Sequence, residues 1–378
     1  MLDIGRIFVV LLALTLVAAL IAGSVFVWGR VTSSPAEQAS SNLSEIVTLH
    51  ARANASPDLA TRYSLLVEAE TAAVRALESA PADQADSIVA EHRAIQEDLD
   101  RLTRMVRIEA IQPVGGIPEA ASLALPALFD GGGRTYLLAD ALYEVDIATN
   151  QLVELLRPGE TVAGEIVGPL LAGTWRGDGP IVVDSERSYI FDPVRGQWDW
   201  EALGDLEGEP VTGEVLSAGV FDLNLYLVDG ENGRIMKFSG GDYESAPEDW
   251  APGVAPEELK QASDIIIDGN IYVLQPDGSI LKFFLNKLAA LIKPEIQPPF
   301  DSASALVDAG SGYYIVNASD GRIARISEDG TLIQQFSPRN AEVALGHLKD
   351  AIIDESTGIA LLLTGEALYT TRLVPSQE

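Results

Sequence analysis

Histidine is the side chain most often used as a general base or metal ligand near neutral pH, and this chain has three, His50, His92 and His347. None sits in a catalytic or metal-ligating pattern, so each reads as a solvated surface residue. Cysteine is absent, which removes disulfides, thiolate catalysis and cysteine-ligated metal centres. The chain has no G-x-S-x-G elbow, H-E-x-x-H helix, phosphate-binding loop or calcium-loop acid pattern. Gly131, Gly132, Gly133 and Arg134 offer successive backbone N–H groups that could cradle an anion. They lie between two apolar runs, however, where a hairpin turn is the better account of them. Aspartates recur at Asp130, Asp222, Asp268, Asp308 and Asp354. Aspartate stabilises turns by accepting from its own backbone two residues on, which is sufficient reason for their repetition.

The elements that would position these side chains follow from an internal repeat. Similar apolar runs begin at Tyr136, Ile181, Tyr226, Tyr272, Tyr314 and Leu361, spaced by 45, 45, 46, 42 and 47 residues. Each has another apolar run before it and a third after it. The runs are rich in Tyr, Val and Ile, as strands are. Six copies of a three- or four-strand unit predict a six-bladed β-propeller over 111–378. The sixth copy ends five residues before the chain does, so its outer strand must come from elsewhere. Residues 110–114, just ahead of the first copy, are the nearest candidate, and Pro113 is tolerable in an outermost strand.

Asp264 and Asp350 stand near the starts of innermost strands and would face a central channel. Corresponding positions in other blades read Trp175, Ala218 and Ala303, too few acids for a ring of metal ligands. Trp175, Asp264 and Asp350 are therefore candidate channel-lining residues. A second candidate region is FFLNKLAALIK (283–293), where Leu285, Leu288, Ala289 and Ile292 fall at helical spacing beside Lys287 and Lys293. Either it is a blade-edge insertion folded over the propeller, or an apolar face of Phe284, Leu285, Leu288 and Ile292 docks on a membrane or a partner helix. Three of the chain's six lysines lie between 282 and 293.

LYLVDGENGRIMKF (225–238) and GYYIVNASDGRIARI (312–326) resemble NHL-type propeller repeats through Asp229, Asn232, Arg234 and Ile235 in one, and Asn317, Asp320, Arg322 and Ile323 in the other. The remaining copies depart from that pattern, with Ser279 in place of the arginine in one of them. The whole layout is similar to the extracytoplasmic half of some bacterial membrane proteins whose other half is a PPM-type phosphatase. No phosphatase half is present in this sequence, so the resemblance implies a sensor or binding ectodomain.

Residues 7–28 carry no charge. At helical rise they would span roughly 33 Å, enough to cross a hydrocarbon core of about 30 Å. A cleaved signal peptide is the rival reading, with Ser34, Pro35 and Ala36 as the cleavage region, although its apolar core usually runs about 7–15 residues. Arg6 and Arg30 flank the segment, a balance that leans slightly toward an amino terminus inside and a large domain outside the cell membrane. Residues 36–109 contain only Pro57 and Pro81 as breakers and read as a helix followed by a helical hairpin over about 58–109. The expected organisation is an anchor (1–30), a helical stalk (31–110) and the propeller (111–378).

The net charge is −31, and 111–378 alone has forty-two acids against sixteen bases. Such a surface repels nucleic acid and anionic lipid heads. No catalytic, cofactor-binding or metal-binding residue is assigned. The expected function is non-catalytic: a single-pass membrane protein whose extracytoplasmic propeller senses a small molecule or binds a protein. Two alternatives are a metal-dependent lactonase or hydrolase on the propeller, and an oligomeric scaffold associating through the stalk.

Overall fold

A computed structural model of the chain describes residues 35–116, 126–204, 214–339 and 345–373. The chain divides into two compact units, 1–102 and 103–378. Among the described residues no helix is long and apolar enough to cross a membrane; the apolar segment 7–28 lies outside them.

The described part of the first unit is three helices, α1 (Pro35–Ala55), α2 (Leu59–Ser79) and α3 (Ala82–Leu102). They enclose a core of Ile46, Ala53, Leu66, Ala69, Ala73, Ile88 and Ile95, all fully buried. The small alanines of α2 let the three backbones approach one another. The cap of α2 is Asp58, its Oδ2 accepting from the Thr61 N–H at 2.8 Å. The last helix stops at Leu102, short of the expected 109, because the chain beyond it is taken up by strands.

The second unit is a six-bladed β-propeller. Blades 1 to 6 cover 127–156, 172–202, 215–249, 264–292, 303–338 and 348–372. In each, successive antiparallel strands run from the innermost to the outermost. Second strands are buried on both faces: Ile181–Val183, Leu225–Asp229, Ile271–Leu274 and Tyr313–Asn317 are entirely covered. Neighbouring blades sandwich them, so they read as continuous apolar runs instead of alternating ones, the pattern of strands covered on both sides.

The ring closes as the strand count requires. Ile111–Gly116 pairs antiparallel with the third strand of blade 6, Ala367–Arg372, matching Ile111 to Thr371 and Pro113 to Tyr369. Val114 enters the core between blades 6 and 1, and Thr371 Oγ1 donates to the Ala110 carbonyl at 2.7 Å. A further strand was not legible in advance. Met105–Ile108 adds in parallel to the outer strand of blade 5, Leu332–Pro338. Gln335, fully buried, holds it: Nε2 donates to the Thr103 and Gln297 carbonyls, while Oε1 accepts from Arg322.

The segment 283–293 is not helical. It is a hairpin in which Ile280–Phe284 turns through Leu285 and Asn286, both at positive φ, into Lys287–Ile292, the outermost strand of blade 4. The apolar residues that matched helical spacing are divided by the strand between an exposed group and Ile292, which is buried in the core shared with blade 5.

Candidate channel site

The innermost strands surround the channel, and their register shows which residues share a level. Opposite the last part of each second strand stand Ala127, Ala172, Ser217, Asp264, Ala305 and Asp350. Asp264 and Asp350 therefore do occupy equivalent positions, as expected. Their counterparts are not Trp175, Ala218 and Ala303; bulges near Val215, Ala303 and Leu348 shift the count. Trp175 lies three residues further along. It stacks on Tyr136 with ring centroids 6.0 Å apart and covers Gly131, where a Cβ would fall 2.0 Å from the indole. Gly132 and Gly133 form the left-handed hairpin turn into Arg134, so the glycine run is a turn shaped to accept Trp175.

Both aspartates fasten neighbouring blades. Asp264 of blade 4 accepts from Ser217 Oγ of blade 3 at 2.8 Å and from the Leu306 N–H of blade 5 at 2.9 Å, as well as from the Ile265 N–H. Asp350 of blade 6 accepts from the Leu128 N–H of blade 1 at 2.6 Å and from the Ala351 N–H at 2.7 Å. Burial penalises the charged form of each. It raises Asp264 to about 6 against the hydrogen bonds that favour the carboxylate. Asp350 is raised well above the ordinary carboxylate range, by burial first and then by the charge of Asp264. The pair resists holding two negative charges at once.

This level divides the channel into two cavities. One, of about 370 Å³, opens where the inner strands begin and is lined by Ser217, Ser263, Asp264, Ser304, Lys349 and Asp350 among others. The other, of about 330 Å³, lies toward the strand ends and includes Asp130, Trp175, Asp264, Asp308 and Asp350. Among the described residues no group of three or more His, Asp and Glu side chains is placed to hold a metal ion.

The turns that resemble NHL repeats are built as their residue types suggest. Asp229, fully buried, accepts from the Asn232 N–H and side chain and from Arg234 Nε at 2.9 Å. Asn317 donates to Asp320, which in turn accepts from Arg322. Arg322 continues to the Pro298 carbonyl and lies 4.8 Å from the Phe300 ring centroid. These are structural turns joining the second and third strands of blades 3 and 5.

His50 is not a solvated surface residue. It sits within the helical unit, with Nδ1 2.6 Å from Glu91 Oε1 and Nε2 3.0 Å from Asp98 Oδ2. The acids lie about forty residues away on α3, and no local spacing announces them.

No family model matches the chain, and no curated protein matches it. Solved structures similar to it include the computationally designed Ika8 protein, at 12% identity and TM-score 0.43 over 69% of this chain and 99% of that one. YCF48 bound to D1 peptide aligns at 11% identity and TM-score 0.42, over 66% of this chain and 76% of that one. The Neurospora crassa Pan2 WD40 domain aligns at 8% identity and TM-score 0.44, over 73% and 98%. The propeller assignment rests on the strand pairing described above and not on these likenesses.

Proposed function

We propose that this chain is a binding module of a bacterial membrane protein, held at the cell membrane by residues 7–28, with an NHL-like propeller outside that takes a small polar ligand in the mouth of its channel. The observation that carries this reading is the use made of Asp264 and Asp350. Their oxygens are occupied as acceptors for neighbouring blades, and alanine or serine fills the rest of that level. A hydrolase would need a free base or a ring of metal ligands there. What the channel offers instead is a concave space of the size that small ligands use, about 300–1,000 Å³, with hydroxyls, Lys349 and the carboxyl groups of Glu214, Asp264 and Asp350 on its wall.

A thermal-shift screen of the full chain in detergent, using amino acids, sugars, polyamines and lactones, tests it. At least one class should raise the melting temperature, and Ser304→Trp, which fills the mouth, should remove that rise. Ligand shifts that survive Ser304→Trp would place recognition elsewhere. Turnover of a lactone that is lost in Asp350→Asn would favour the hydrolase. Protease added to spheroplasts should degrade the propeller; protection of the whole domain would reverse the topology.

A further inference from the structure

We infer that the outer edge of blade 4, the strand Lys287–Ile292, is a docking edge for an extended, acidic segment of a partner protein, which adds to it as a fifth strand. Among the described residues this strand ends its sheet, with nothing paired beyond it. An edge of this kind presents a row of unpaired N–H and C=O groups, which natural proteins normally blunt with charges, proline or a covering segment.

The other blades are blunted in those ways. Blade 1 ends in a strand carrying Glu154, and blade 2 in one carrying Asp199 and Glu201. The outer strand of blade 3 is only Glu248–Asp249, and that of blade 6 contains Pro113. Blade 5 is covered by Met105–Ile108. Among the described edge strands, only that of blade 4 has a middle, Leu288 to Leu291, with neither a charge nor a proline.

That strand is also apolar on its surface. Leu288 is 43% exposed and Leu291 47%, with Phe284 at 54% and Leu285 at 72% beside them. The outer strand of blade 3 is only two residues long. Trp250, which follows it, reaches Phe283 with ring centroids 6.0 Å apart, but the cross-strand neighbour Leu288 remains in solvent.

Charge selects the occupant. Lys287 and Lys293 bracket the strand, and Lys282 on the adjacent strand lies over Tyr272, in a domain that is otherwise strongly acidic. A lipid surface would leave the edge N–H and C=O groups without partners. A second copy would bring lysine toward lysine. An extended segment bearing carboxylates satisfies the backbone edge and the lysines together. Blade 5, extended by Met105–Ile108, demonstrates that this ring accommodates a five-stranded blade. The proposal is independent of the channel reading.

The test uses the full chain in detergent and a blocked Glu-Val-Glu-Val-Glu-Val peptide, with Lys-for-Glu and N-methylated versions as controls. The acidic peptide should slow amide exchange at Leu288–Leu291. Charge reversal by Lys287→Glu with Lys293→Glu should weaken binding about tenfold, as expected for two exposed ion pairs, and favour the lysine peptide, without changing the melting temperature. N-methylation should abolish the protection. No protection at about 1 mM acidic peptide, the weak end of specific recognition, overturns the proposal. So does unchanged affinity after charge reversal, or a lysine-dependent association with phosphatidylglycerol vesicles or with a second copy in its place.

Discussion

Asp264 is neutral more readily in the folded protein than in the unfolded chain, because burial raises it to about 6 from an ordinary 3.8. A raised acid contributes stability at low pH, and that contribution is lost as pH rises from about 4 through 6. The loss is on the order of 2–3 kcal/mol. Asp264→Asn removes one acceptor and with it about 1 kcal/mol. It should therefore destabilise the propeller at pH 4, where the native side chain is already neutral, and be neutral or stabilising at pH 7. Urea unfolding at the two pH values measures this; equal effects at both would show that Asp264 titrates normally. His50 has the opposite chemistry and the same direction. Burial pulls it down, but the bonds to Asp98 and Glu91 more than compensate and raise it above 6.5. Those two contacts require both ring nitrogens to donate, so they are complete only for imidazolium. Stability of the helical unit should be fully present below pH 6.5 and fall as pH rises through the folded value. Nuclear magnetic resonance titration should find the ring above 6.5, and Glu91→Gln should lower it.

At the scale of elements, the two strands that precede the blades do unequal work. Ile111–Gly116 completes blade 6 and seals the ring, so its loss would expose both the third strand of that blade and the core around Val114, Leu361 and Leu363. A chain beginning at residue 121 should melt well below one beginning at 103, and equal melting temperatures would mean that another segment seals blade 6. Met105–Ile108 is held by its ladder to blade 5, by burial of Ile108, and by Gln335, which bonds the Thr103 and Gln297 carbonyls and accepts from Arg322. Gln335→Leu leaves a buried guanidinium short of an acceptor and orphans two carbonyls. About 2–4 kcal/mol of destabilisation is expected, read as a lower urea midpoint with accelerated exchange at Val106 and Ile108.

For the molecule as a whole, the helical core of Ile46, Leu66, Ile88 and Ile95 is buried within one chain, so those residues are not available for self-association. Sedimentation of the full chain in detergent should then give a monomer, and a stable oligomer that dissociates on α1–α3 mutation would revive the scaffold. The acidity of the propeller makes an anionic ligand of the channel a poor candidate for long-range attraction. Cationic or zwitterionic ligands should therefore bind with on-rates that fall as salt is added.

The number of blades, their period and the need for a borrowed closing strand were legible in the sequence. Each depends on local strand chemistry repeated along the chain, and the count of strands after Leu361 is simple arithmetic. Turn residues such as Asp229 with Asn232 and Arg234 were legible for the same reason, since their partners lie within five residues. Pairings across long separations were not. Leu306 with Asp264, Leu128 with Asp350 and His50 with Glu91 are brought together only when blades or helices pack, and bulges near Ala303 and Leu348 displaced the channel register that a simple count assigned. The segment 283–293 shows the limit most clearly. Its apolar spacing suits a helix, but Leu285 and Asn286 form a hairpin turn and blade 4 supplies a partner for every following residue up to Ile292 but one. A short apolar run has no period strong enough to choose between helix and strand, so the neighbouring strand's hydrogen bonds made the choice.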